Sequence, residues 1–146
     1  LMGSFYNEQE INKDLRRKLS NNLYNYLHNT VHTPADKILW TTFKSTQEFL
    51  ERPGYINSFV SCNARATNDY DDRDVIAYCC NRFLSPDFNK YFEEYGIVLN
   101  ENLYALAEML QFIWRSAIRK NNPIKIYIPS KRMRNLLYMW LNNENL

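Results

Sequence analysis

The stretch "NENLYALAEMLQFIWRSAIRKNNPIKIYIP", residues 100–129, decides the class of fold. Leu103, Leu106, Ala107, Leu110, Ile113, Trp114 and Ala117 recur at helical spacing and share one wide face, which predicts a helix over 102–120. "NNP" breaks that helix. "IKIYIP" at 124–129 then alternates with a period of two, the mark of a strand. A strong helix running into a short strand, with another helix after it, is the rhythm of an α/β domain.

The neighbouring segments keep that rhythm. "SKRMRNLLYMWL" (130–141) reads as a final helix capped by Ser130, with Met133, Leu136, Leu137 and Trp140 turned inward. "SPDFNKYFEEYG" (85–96) has Ser85 as cap, Pro86 at the first helical position and Gly96 as stop. "VIAYCC" (75–80) is a buried strand or the start of a helix, and periodicity leaves both open. "KILWTTF" (37–43) and "YINSFVSC" (55–62) read as strands. Between them a helix begins at Ser45, with Glu48 completing a capping box, and "RPG" ends it. "NEQEINKDLRRKLSNNLYNYLHNT" (7–30) places Ile11, Leu15, Leu19, Leu23 and Leu27 on one helical stripe, and Pro34 marks the break after it. Short strands alternating with helices imply an α/β fold, a mainly parallel sheet flanked by helices, with an N-terminal helical extension.

The 146 residues fit one compact domain, and the apolar and aromatic fractions of 45% and 15% argue against disorder. No apolar run reaches membrane-spanning length, and the first residues lack a signal-peptide pattern. "LMGS" reads as a cloning remnant, which would make the chain a piece of a longer protein. Cys62, Cys79 and Cys80 are odd in number and show no C-x-x-C spacing, so a reducing, cytoplasmic setting is expected. The net charge is only +2, yet no acid lies between Glu108 and Glu144. That span holds Arg115, Arg119, Lys120, Lys125, Lys131, Arg132 and Arg134. The acids cluster earlier, notably in "DYDDRD" (69–74). One-signed segments of this length either meet an anionic partner or are neutralised inside the fold.

Three constellations carry candidate chemistry. In a continuous helix Gln111, Arg115 and Arg119 would share one stripe, where an arginine fork suits phosphate oxygens and a solvated polar face is the plain alternative. Lys131, Arg132 and Arg134 crowd the first turn of the last helix, where positive charge is unfavourable unless an anion docks. "CNARATNDYDDRD" follows an expected strand, and its Arg65, Thr67, Asn68 and Asp69 offer donors and acceptors at the strand's carboxyl end. Its acids lack the glycine of a calcium-binding EF-hand loop. His28 and His32 have no third ligand, so no metal is expected. No G-x-x-x-x-G-K-[ST] exists, so this chain holds no P-loop.

In order and spacing, residues 37–141 resemble the second, C-terminal RecA-like lobe of superfamily-two helicases. "ILWTTFK" is similar to the strand opening that lobe, "FVSCNARATNDYDDRDVIAY" to the fifth helicase motif and "QFIWRSAIR" to the sixth, Q-x-x-G-R-x-x-R. The strings "ATNDY", "QFIWRSAIR" and "YIPSKRMR" also resemble those of helicase-like proteins from phage and bacterial mobile elements. Departures stand beside the likeness: Trp114 replaces a glycine, the second arginine comes one residue late at Arg119, and Ala66 replaces the fifth-motif glycine. The resemblance implies an N-terminal extension over 1–34 and a RecA-like domain over 35–146. It implies Arg115 or Arg119 as the arginine finger, with Gln111 orienting nucleotide or water. Arg65, Thr67, Asn68, Lys131, Arg132 and Arg134 would touch nucleic acid, DNA rather than RNA, with no membrane partner. ATP, with Mg²⁺, would be held by a separate first lobe, and the chain alone would be inactive. The alternative is a stand-alone nucleic-acid-binding or replication-accessory module without catalysis. A protein-interaction domain using Trp40, Trp114 and Trp140 is a third reading.

Overall fold

The computed structural model describes residues 2–64 and 69–146, with side chains described from Asn12 onward. Three strands, β1 (Ile38–Thr42), β2 (Val75–Cys79) and β3 (Lys125–Tyr127), form a parallel sheet in that spatial order. Ile38 pairs with Val75, and Val75 with Lys125, so all three strands start level. The segment left open at 75–80 is therefore a strand. Its residues are buried on both faces, as a central parallel strand requires.

The helices cover both faces. On one face Leu39, Ile76 and Tyr78 pack against Leu106, Met109 and Phe112 of α4 (Glu101–Ile113) and Met133 and Leu136 of α5 (Lys131–Leu141). On the other, Ile38, Trp40, Val75 and Ala77 meet Leu23, Leu27 and Leu50. The alternation of side chains along each strand sorts the two cores. The N-terminal helix α1 (Met2–Tyr24) runs on into a π-helical turn, Asn25–Thr30. Its last turns form a layer of the domain, because Leu23 and Leu27 are fully buried while Leu15 is exposed. Each such leucine contributes about 1.5–3 kcal/mol by leaving water. Leu50 comes from α2 (Gln47–Leu50), a single turn.

The caps read at Ser85 and Ser130 form, and Asn100 supplies a third. Ser85 accepts the Phe88 N–H at the head of α3 (Pro86–Glu94), Asn100 accepts Leu103 N–H, and Ser130 accepts Met133 N–H. The capping box expected at Ser45 does not form: a 3-10 turn, Lys44–Thr46, precedes α2.

Three expectations are corrected. "YINSFVSC" is not a strand: Ile56–Ser58 is a 3-10 turn, and Phe59 makes a single parallel bridge to Trp40. The reason lies in competing bonds. Tyr55 and Ser58 hydroxyls donate to the carbonyls of Leu50 and Ala35, and the Trp40 indole N–H takes the Tyr55 carbonyl. The helix expected over 102–120 ends at Ile113. The Ser116 hydroxyl donates to the Ile113 carbonyl, Ala117 N–H is drawn to Arg73 O at 2.8 Å, and a 3-10 turn, Ala117–Lys120, follows. Leu103, Trp114 and Trp140, expected inside, are 52%, 48% and 39% exposed.

Candidate functional site at the carboxyl edge of the sheet

The Phe59 bridge lies on one side of β1 and β2 on the other, so the chain changes direction across β1. In open parallel sheets such a switch point, at the carboxyl ends of the strands, is where ligands bind. Here it falls where β1 and β2 end, at Thr42 and Cys79. Thr42 Oγ1 donates to the Cys79 carbonyl at 3.0 Å and shares a 2.7 Å hydrogen bond with Thr46 Oγ1, which ties the loop after β1 to the end of β2.

Arg82 sits just beyond β2 and dominates the edge. Its side chain is 11% exposed and lies 3.8 Å from Glu108. It donates to Asn63 Oδ1 at 3.2 Å and stands over the Phe43 ring. Thr41 Oγ1 and Tyr78 OH are buried beside it without a hydrogen bond of regular geometry among the described residues; the Tyr78 hydroxyl lies by the Arg82 guanidinium and Thr41 by the Cys62 thiol. Two thiols complete the cluster. A hydrogen bond from the Cys80 thiol, aided by the Arg82 charge, holds Cys62 down to about 6. That same bond, with burial, pushes Cys80 well up, while burial raises Cys79 to about 12. The half-buried Cys62 thiol is thus shifted toward its ionised form, and its neighbour Cys80 away from it. All three cysteines are free.

The basic start of α5 closes the other side. Arg132 reaches the Asn81 side chain at 2.9 Å, the Arg82 carbonyl and the Asn102 side chain, with its guanidinium 4.4 Å from the Phe83 ring centroid. Arg134 donates to the carbonyls of Ile128 and Pro129 at 2.7 and 2.9 Å. Lys131 stays exposed. These arginines take up orphaned carbonyls around the helix start, which offsets the unfavourable charge there.

The sixth-motif-like stretch does not form one stripe. Gln111 is exposed on α4 and Arg119 is exposed on the turn after it. Arg115 is 7% exposed and donates to the carbonyls of Ser61 and Ala64. Arg119 lies near the amino edge of the sheet, because its turn docks on Arg73 and Lys120 pairs with Asp71 at 2.9 Å. Arg65, Thr67 and Asn68 lie outside the described residues. Of the acid-free cations, Lys120 pairs with an acid and Arg115, Arg132 and Arg134 bind carbonyls. Arg119, Lys125 and Lys131 have no side-chain partner among the described residues.

Sequence reasoning passed over Arg82, Cys62 and Cys80. The available signal was a fully apolar strand, 75–80, followed at once by Asn-Arg. Among the described residues no group of three or more His, Cys, Asp or Glu could hold a metal, and no helix is long and apolar enough to cross a membrane.

Residues 1–141 match the family described as the YonV C-terminal Rossmann-like domain. Over 130 residues the chain is 46% identical to the SPbeta prophage-derived uncharacterized protein YonV of Bacillus subtilis strain 168, an alignment covering 89% of this chain and 32% of that protein. The chain therefore spans about a third of the length of the curated relative it matches. No solved structure matches it.

Proposed function

Because the chain belongs to the family of YonV C-terminal Rossmann-like domains, we propose that it is the C-terminal lobe of a nucleic-acid-dependent ATPase or helicase of prophage type. The observation that carries this reading is the bond from Arg115 to the carbonyls of Ser61 and Ala64. It joins the stretch that resembles the sixth helicase motif to the loop that resembles the fifth. Such a contact offers one physical route by which a change at one loop could reach the other.

In this reading ATP and Mg²⁺ belong to a separate P-loop lobe, and this chain alone does not hydrolyse ATP. Arg119, exposed near the amino edge of the sheet, is the candidate finger for a P-loop lobe docked on that edge and not on the carboxyl edge, placing positive charge where the transferred phosphoryl group develops negative charge. Gln111 would orient the nucleotide or the attacking water. Arg115 is a positioning residue for the 61–64 segment, which leads into Arg65, Thr67 and Asn68. Those residues would hold the DNA backbone with Lys131, while Arg132 and Arg134 shape the edge beside it.

The test compares Arg119→Ala and Arg115→Lys in a full-length protein that carries a P-loop lobe. Arg119→Ala is expected to lower ATP turnover by about 10³-fold or more. Arg115→Lys is expected to keep basal turnover and lose its stimulation by single-stranded DNA. Native turnover in both variants overturns the reading. The exposed Arg119, Lys125 and Lys131 favour a second reading, a nucleic-acid-binding module without catalysis. That one is supported if DNA binding weakens with salt while neither variant alters hydrolysis.

A further inference from the structure

A groove among the described residues lies between α1 and α2. It is open, encloses about 610 Å³, and is lined by Lys13, Arg16, Arg17 and Arg52 with Phe49 at its side. Asp14 is the one carboxylate among the described residues of the lining. It is already engaged by Arg17 and Lys18. Among the described residues Arg17 pairs with Asp14, and Lys13, Arg16 and Arg52 remain as unneutralised cations, which leaves a positive trough.

The aromatic at its wall gives the trough a second property. Phe49 is 48% exposed, which costs hydrophobic free energy in the free protein. The Arg16 guanidinium stands 4.5 Å from its ring centroid. Arg52 is held in place by Asn21 and by the Tyr24 ring, 5.0 Å away. A flat apolar face beside a fixed guanidinium, in a basic channel, is what a single-stranded nucleic acid uses: phosphates follow the cations and a base stacks on the ring. A purely acidic peptide would satisfy the cations and leave Phe49 without a role.

We propose that the α1–α2 groove, with Lys13, Arg16, Arg17 and Arg52 as phosphate contacts and Phe49 as the stacking platform, binds single-stranded nucleic acid. This site is separate from the loops invoked above and does not depend on the ATPase reading.

The experiment measures fluorescence anisotropy of a labelled oligothymidine on the 146-residue chain at several salt concentrations. Phe49→Ala should weaken binding about 5- to 150-fold, the range for losing one base stack. Lys13→Ala with Arg16→Ala should flatten the salt dependence by about 0.7 in log–log slope for each phosphate that is no longer neutralised. Phe49 and Arg16 are surface residues, and circular dichroism checks that each variant stays folded. Native affinity and slope in both variants overturn the proposal. So does a poly-glutamate competitor that displaces the oligonucleotide equally from the native chain and from Phe49→Ala. If only Lys131→Ala and Arg65→Ala lower affinity, the strand lies at the carboxyl edge: this inference fails and the function proposed above stands.

Discussion

Arg115 Nη2 donates to the carbonyl oxygen of Ala64, 51 positions earlier in the chain. The guanidinium also reaches Ser61 O and lies over the Phe112 ring. The side chain for which helical spacing left a phosphate-binding fork and a solvated face both open is a buried strut between the end of α4 and the crossover that leads to β2. Hydrogen bonds from a charged donor are worth more than neutral ones, and Arg115 itself is buried, so losing it removes both these bonds and its packing.

Arg115→Ala should therefore destabilise the domain by about 2–3 kcal/mol. At this chain length that lowers Tm by roughly 4–12 °C. Arg119→Ala, on the exposed turn, should leave Tm within about 2 °C. Thermal unfolding of both variants measures the contrast. Equal Tm values would mean that Arg115 does not hold the crossover.

Cys62 should stand apart from the other thiols in its pH profile. Held down to about 6 by the Cys80 hydrogen bond and Arg82, it is expected to ionise at lower pH than the other two thiols. Its alkylation by iodoacetamide should be nearly flat from pH 8 to 7 and fall below about 6, while Cys79 and Cys80 stay unmodified in the folded protein. The linkage sign follows from the lowered value. The unfolded thiol titrates near 9, so between about 6 and 9 the unfolded state binds more protons. The contribution of Cys62 to stability thus rises with pH across that window and is lost as pH falls through 6. Arg82→Ala should move the alkylation midpoint upward; an unmoved midpoint removes Arg82 from the cause.

The N-terminal helix should behave as part of the core only where it touches the sheet. Leu23→Ala should cost about 2–5 kcal/mol, the range for a leucine cavity. Leu15→Ala, at an exposed position, should cost less than about 0.5 kcal/mol. Urea denaturation with equal slopes for both variants checks this. Equal losses would mean that α1 does not form the second core.

The elements with local punctuation were legible in the sequence. The Ser-Pro start and Gly stop of α3, the Ser130 cap of α5, and the β-branched run of β1 needed only neighbours in the chain, and the structure keeps them. The parallel α/β class followed from their alternation. The candidate site was less legible, because its bonds are long-range. The end of α4 depends on Arg73 drawing Ala117 away, and the fate of 55–62 depends on the carbonyls of Leu50 and Ala35. Periodicity records which face of an element is apolar. It does not record which distant carbonyl will take a side chain's proton, and that exchange decided that Arg115 turns inward, Arg119 outward, and Cys62 lies beside Cys80 at the carboxyl edge.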